Sequence, residues 1–228
     1  VSDVPAGHED AVASGPTVPD VSTVTECREI LERYRLLEQF PAAVRRFFES
    51  PALPETPKPA ELHAQFCTLL DSQDLVRAAA SRAETLGWTA IIDNVCDEWE
   101  YQAAAKYLLD RLRTLRHQHA SVCLLSAGEV IVSLPARTAS HDSTGIGGRN
   151  QQFALYAATL LTPADGAVAI LSAGSDGIDG NSSAAGAVVD ENTIVKEPSD
   201  SRAALQTLAN FDAYSFLSAR NATITMGP

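Results

Sequence analysis

Apolar positions in the first fifty residues recur at helical spacing after a polar opening. Asp20 can N-cap a helix running to about Leu37, with Ile30, Leu31 and Tyr34 on one face. Pro41 suits the first turn of a second short helix that ends near Ser50. Between Pro51 and Glu61 stand Pro51, Pro54, Pro57 and Pro59, which withhold N–H donors and predict an extended surface connection. A strand, helix, strand pattern follows: Gln65 to Leu70, apolar enough for a buried strand, then Asp74 to Leu86, then Trp88 to Val95, a predicted βαβ unit. Asp97 to Arg116 carries Tyr101, Ala104, Ala105, Leu108, Leu109 and Leu112 at helical spacing and ends in basic residues that suit the negative end of a helix dipole. Val122 to Leu125 and Val130 to Leu134, joined by Ser126-Ala127-Gly128, read as a hairpin-like pair. A polar, glycine-rich loop from Pro135 to Gly148, a helix from Asn150 to Leu161 and a continuous apolar strand from Ala167 to Leu171 come next. The loop from Ala173 to Ser183 is again rich in glycine, and Ser199 to Leu208 is helical. The alternation predicts the α/β class, and the change of texture past His117-Gln118-His119 marks a boundary between residues 1–117 and 118–228.

Length and composition narrow the choice of function. The 228 residues are 45% hydrophobic, enough for one large core or two small ones, so disorder is not expected. A net charge of −12 repels nucleic acid and anionic lipid at long range, which argues against both as partners while leaving room for a small basic site. No apolar run reaches the roughly 18 residues of a membrane span, and no basic segment leads into an apolar stretch near Val1, so a cytoplasmic protein is expected. The scattered Cys27, Cys67, Cys96 and Cys123 suggest neither a disulfide framework nor a zinc knuckle and are expected to be reduced, mostly buried thiols. His117 and His119 are spaced for a solvated helix end rather than for a metal. With no initiator methionine and an opening that reads as the end of a strand, the chain resembles a piece of something longer.

Two constellations carry chemistry. Gly145-Ile146-Gly147-Gly148-Arg149-Asn150-Gln151 runs straight into a helix N-terminus, where glycines permit close backbone approach, free N–H groups are expected to point outward, and a guanidinium adds a bidentate donor. All three features favour an anion. The alternative is a flexible loop with Arg149 in a structural ion pair. Ser172 to Asn181 follows an apolar strand and holds Asp176 and Asp179, which could bind Mg²⁺ or substrate hydroxyls in the crevice beyond the strand ends. The same letters would also serve two successive Asp-Gly turns. Ser14-Gly15-Pro16-Thr17 offers hydroxyls to a ligand or to a helix cap, and Gly128-Glu129 places a carboxylate at a strand end for an ion pair or for catalysis. No GxxxxGK[ST] nucleotide loop occurs, and five scattered histidines support no Ser-His-Asp or Cys-His arrangement.

Taken together, Val1-Ser2-Asp3-Val4, Ala13-Ser14-Gly15-Pro16-Thr17, Ser126-Ala127-Gly128-Glu129, Gly147-Gly148-Arg149-Asn150-Gln151 and Gly174-Ser175-Asp176-Gly177-Ile178-Asp179-Gly180 resemble, in order and spacing, the glycerate 2-kinase family with its C-terminal MOFRL domain. The resemblance implies the later part of a Rossmann-like domain over residues 1–117 and a smaller mixed α/β MOFRL domain over 118–228. It further implies ATP-dependent phosphorylation of D-glycerate to 2-phosphoglycerate with Mg²⁺, at a site between the two domains. By this similarity Arg149 is the catalytic or substrate-anchoring arginine, with Ser14, Gly147, Gly148, Asn150, Asp176 and Asp179 in substrate binding and Asp176 or Asp179 as candidate metal contacts. The partners so implied are glycerate and a nucleotide, and a homo-oligomer is compatible with them.

Four departures qualify the resemblance. The family's lysine belongs to an earlier segment with no counterpart here, so the chain alone is expected to be inactive. Ile146 stands where the family usually has lysine or arginine, and Phe211 where asparagine is common. Pro228 stops short of a threonine- and asparagine-containing loop. Two other readings therefore stand beside the kinase: a hydroxypyruvate reductase, a name some relatives carry, which lacks support from any complete GxGxxG fingerprint, and a non-catalytic remnant of the kinase fold.

Overall fold

The computed structural model describes residues 12, 15, 17–62, 67–134, 145–195 and 197–226, which fall into two compact units, one within Ser2–Asp71 and one within Ser72–Pro228. The expected strand end at Val1 to Val4 and the greater part of the Pro135 to Gly148 loop lie outside the described residues.

The first unit holds helices α1 (Val24–Arg33) and α2 (Ala42–Glu49). Thr23, not Asp20, caps α1, because Thr23 and Glu26 form a reciprocal capping box. Asp20 instead accepts from the Ser22 hydroxyl at 2.7 Å, the Thr56 hydroxyl at 2.8 Å and Ser22 N–H at 2.8 Å, and those bonds hold its carboxyl below the usual carboxylate range. The helix stops short of Leu37 where Arg35 takes a left-handed conformation, φ 51°. Leu31 is buried as expected, but Ile30 and Tyr34 are exposed. Pro41 stands at the N-cap of α2, and the proline-rich stretch after it is irregular and extended.

In the second unit the βαβ motif is present, but built from elements one step further along than the pattern predicts. Cys67 to Leu70 form no strand, and Leu69 and Leu70 are exposed; Gln65 and Phe66 lie outside the described residues. Helix α3 (Ser72–Thr85) leads into β1 (Thr89–Ile92), α4 (Tyr101–Arg116) and β2 (Val122–Leu125). β2 pairs in parallel with β1, Thr89 opposite Val122 and Ile92 opposite Leu125, so the pair joins segments on both sides of residue 117. The hairpin expected between 122–125 and 130–134 does not form. The Ser126–Gly128 turn is drawn to the β1 side, where Asn94 Oδ1 accepts from Ala127 N–H, and Ile131 bridges to Glu100 instead.

Helix α5 (Arg149–Leu160) is the centre of this unit. Its residues face apolar neighbours nearly all round: Phe153 and Ala157 pack with Tyr101, Ala104 and Ala105 of α4, while Ala154, Leu155 and Ala158 pack on the opposite side. That second side is lined by β4 (Gly186–Asp190), α6 (Pro198–Ala209) and α7 (Ala213–Ser218). β3 (Ala169–Ala173), β4 and β5 (Thr223–Ile224) form an antiparallel sheet in that order. The strand expected at Ala167 to Leu171 as a continuous buried run is thus a strand with alternating faces, Leu171 outward and Ile170 inward. Of the four cysteines Cys96 alone is buried, and burial pushes its thiol up to about 11. No helix among the described residues is long and apolar enough to cross a membrane. The architecture is mixed α/β, with an antiparallel sheet packed on α5 and a parallel pair packed on α3 and α4.

Candidate active site at the head of α5

Two features of the second unit converge on Arg149. The first is the pair of loops beyond the carboxyl ends of β1 and β2, where parallel sheets present ligand-binding residues. Asp93 follows β1, accepts from the Tyr107 hydroxyl at 3.0 Å and pairs with Arg111 at 3.3 Å. That bond to the Asp93 carboxylate raises the Tyr107 hydroxyl above its usual range. Asn94 ties the two loops together, donating to Gln73 and accepting from Ala127 N–H at 2.7 Å. After β2 the chain turns at Gly128, φ 111°, so close to Asp97 that a Cβ there would lie 2.3 Å from its carboxylate oxygen. Asp97 then accepts from Glu129 N–H at 2.8 Å, and the Glu129 carbonyl accepts from Glu98 N–H at 2.7 Å.

The second feature is an interlock of the two glycine-rich loops. Asp179, 2% exposed, sits under the first turn of α5. Its Oδ1 accepts from Asn150 N–H at 3.0 Å and Asn150 Nδ2 at 3.1 Å; its Oδ2 accepts from Gln151 N–H and Gln151 Nε2, both at 2.9 Å. These N–H groups are therefore not the free outward donors expected of the helix end. A carboxylate buried without a cationic partner among the described residues is tolerable here because the donors and the positive end of the helix dipole both favour its charge. Close backbone contact completes the interlock. A Cβ on Gly148 would lie 2.4 Å from Asp179, and one on Gly180, φ 64°, would lie 2.2 Å from the Gly147 carbonyl oxygen. Asn181 Oδ1 accepts from Gly147 N–H at 2.9 Å, while its Nδ2 donates to the Gly145 carbonyl at 3.2 Å. On the far side Asp212 accepts from Ile146 N–H at 2.8 Å, and Tyr214 N–H donates to the Ile146 carbonyl. Phe211 next to it has φ 53°, a conformation that asparagine tolerates better than phenylalanine, which gives a physical reason for the asparagine expected at this place.

Arg149 is thus the first residue of a helix whose backbone is held from below, and its side chain reaches out to Glu129, Nη1 to Oε2 at 2.5 Å. Both side chains are about two-fifths exposed, at 42% and 36%. Of the residues singled out from the sequence, Gly147, Gly148, Arg149, Asn150 and Asp179 are brought together. Asn150 also accepts from the Ser172 hydroxyl at 2.7 Å. Asp176 is exposed and accepts from Ile178 N–H at 3.2 Å. Ser14 lies outside the described residues. Asn94, Asp97 and Asp212 were not singled out from the sequence, and Asn181 entered only as the last residue of the Ser172 to Asn181 loop. Only Asn181, which directly follows the Asp-Gly turns, carried a local signal.

The donor set bears on metal binding. Both oxygens of Asp179 are filled by protein donors, so Asp179 as arranged does not fit a metal ligand, and Asp176 supplies one exposed carboxylate. Among the described residues no group of three or more His, Cys, Asp or Glu side chains could hold a metal ion. Such a surface fits at most an ion carried mainly by the oxygens of a bound phosphate compound.

Comparison with known proteins bears on the fold. The MOFRL family model matches residues 122–228, and a domain of unknown function, DUF4147, matches residues 1–49. A D-glycerate 2-kinase from Thermotoga maritima is 30% identical over the whole chain. The crystal structure of a glycerate kinase from the same organism superposes with a TM-score of 0.76 at 30% identity, covering 100% of this chain and 52% of that one. Residues 122–228 match the MOFRL family, and the chain as a whole is similar to glycerate 2-kinases. A relative from Agrobacterium vitis, 31% identical over the full chain, carries the name hydroxypyruvate reductase. The chain spans about half the length of the curated relatives it matches, 52% and 51% of these two.

Proposed function

We propose that this chain supplies one half of a glycerate 2-kinase site, in a protein that phosphorylates D-glycerate to 2-phosphoglycerate with ATP and Mg²⁺. The observation that supports the reading is Arg149, a half-exposed guanidinium at the start of a helix whose first turn is fixed by buried Asp179. On this reading residues 1–117 are the later part of the Rossmann-like domain and 118–228 the MOFRL domain, with β2 of the latter completing the parallel pair.

The nucleotide, with its Mg²⁺, supplies the phosphoryl group. This chain's residues bind and orient the acceptor. Arg149 compensates charge on the glycerate carboxylate or on the phosphoryl oxygens, the electrostatic work that phosphoryl transfer needs. Gly147 and Gly148 let the loop close against Asp179 and Gly180 and so set the place of Arg149, while Asn150 and Asp176 offer polar contacts to the substrate's hydroxyls. Asp176 is the candidate for any direct contact with the cation. Asp179 serves the substrate indirectly, by fixing the turn that carries Arg149 and Asn150.

The test is an assay of the protein expressed from its complete coding sequence. D-glycerate-dependent release of ADP, with 2-phosphoglycerate as product, is the expected result. Oxidation of NADH with hydroxypyruvate and no ATP turnover would replace the kinase with the reductase that the Agrobacterium vitis names suggest. Ile146, exposed beside Arg149 in place of a basic residue, favours a third outcome, a non-catalytic member of the fold, and inactivity in both assays would establish it.

A further inference from the structure

We infer that Glu129 is a positioning residue for Arg149: its carboxylate holds one nitrogen of the guanidinium so that the rest of the fork is presented to the anionic group of the substrate. The inference rests on the reading of Arg149 as the residue that meets that anion.

Stability does not account for the pair. An ion pair this open to water adds little to folding, because solvent already serves both charges and two long side chains must be immobilised. Its supports are nevertheless built with unusual care. Gly128 stands where any Cβ would strike Asp97, Glu98 is held at φ 60°, and the Glu129 backbone is bonded at both its N–H and its carbonyl. Left-handed conformations at non-glycine residues cost energy and concentrate where a site must be held in shape. On the other side, the Arg149 backbone opens a helix whose next two N–H groups are bound by buried Asp179. The side chains therefore meet from two rigid anchors.

The contact geometry favours support over competition. Glu129 takes Nη1 of Arg149. A guanidinium recognises a carboxylate or phosphate through two parallel N–H donors, and one nitrogen held by Glu129 leaves a second edge for that purpose. A carboxylate that merely occupied the substrate's place would have to be expelled before binding, and its removal would tighten binding. A positioning carboxylate predicts the reverse.

The experiment measures D-glycerate affinity by calorimetry, and KM and kcat, in the protein expressed from its complete coding sequence. Glu129→Gln is expected to weaken binding about tenfold with the melting temperature unchanged, and to cause no further loss when combined with Arg149→Lys, because its effect runs through the guanidinium. Glu129→Asp, which keeps the charge on a shorter stem, should fall between the two and covers the case in which Glu129→Gln folds poorly. Tighter binding in Glu129→Gln, or the same tenfold loss on the Arg149→Lys background, would overturn the inference. NMR of the Arg149 Nε–H, rigid in the parent and mobile in Glu129→Gln, reads the same positioning without substrate; an equally rigid group in both would also overturn it. Absence of glycerate binding by the parent protein would instead defeat the proposed function, leaving the NMR comparison to judge Glu129.

Discussion

The arginines at the two ends of α5 meet their carboxylates in opposite surroundings. At the C-terminal end Arg113 of α4 grips Asp165 with Nε at 2.6 Å and Nη2 at 2.8 Å, and donates to the Leu160 carbonyl in the last turn. Arg116 adds a bond to the Asp165 carbonyl, and the Asp165 side chain is only 5% exposed. At the N-terminal end Arg149 and Glu129 share one contact in view of solvent. The first pair is placed to join α4 to α5 and is held by two parallel bonds to a buried acceptor. The second joins the loop after β2 to the head of α5 through an exposed contact, which adds little to folding, so its position is better explained by what Arg149 must touch.

Breaking each pair should separate these roles. The largest effect is expected from Arg149→Ala, which should lower turnover about a thousandfold in the whole protein while shifting folding stability by less than about 1 kcal/mol. Steady-state kinetics beside thermal melts would check both halves, and near-normal turnover would remove Arg149 from the mechanism. Gly180→Ala should cost about 3 kcal/mol, because its Cβ meets the Gly147 carbonyl at a left-handed position, and activity should fall with it. Urea unfolding would show whether the interlock is as tight as drawn.

Asp165→Asn is expected to destabilise by about 2–3 kcal/mol with no selective effect on substrate affinity, since Arg113 keeps access to water once its partner is gone. The same carboxylate has a pH signature. The Arg113 guanidinium holds Asp165 well below the usual carboxylate range. Protons therefore bind the unfolded chain in preference, and this stabilisation is complete above about pH 4 and fades as the pH falls below it. Urea midpoints between about pH 3 and pH 6 should fall on the acid side in the parent, and less steeply in Asp165→Asn. The smallest effect is assigned to Ile146→Lys, which restores a positive charge beside Arg149 and should lower KM for D-glycerate about twofold at low ionic strength, an advantage that salt should erase.

How much of this was legible in the sequence follows from how local each feature is. α3, α4, α5 and α6 lie close to the segments that periodicity predicts, because a long helical run is set by residues near one another in sequence. β4, α7 and β5 were not foreseen: five, six and two residues are too few to show a period, and Gly186 and Asp212 read equally well as loop. The strand pairing was misread because β2 finds its partner across the whole of α4, a contact that no nearby residue announces. Arg149 was visible at the head of a helix. Asp179 looked like a candidate ligand, and only the fold shows it bonded to Asn150 and Gln151, so distant in sequence.

That distance gives the β3–β4 ribbon a second duty. Asp179 lies in the connection between the two strands, whose pairing sets Ala173 opposite Gly186 and turns Ala187 and Val189 inward with Val188 outward. A slip of one residue would reverse those faces and carry the carboxylate away from α5. Correct threading of the ribbon is thus a checkpoint for recognition, because only a chain that has passed it can offer a substrate an arginine on a firm base.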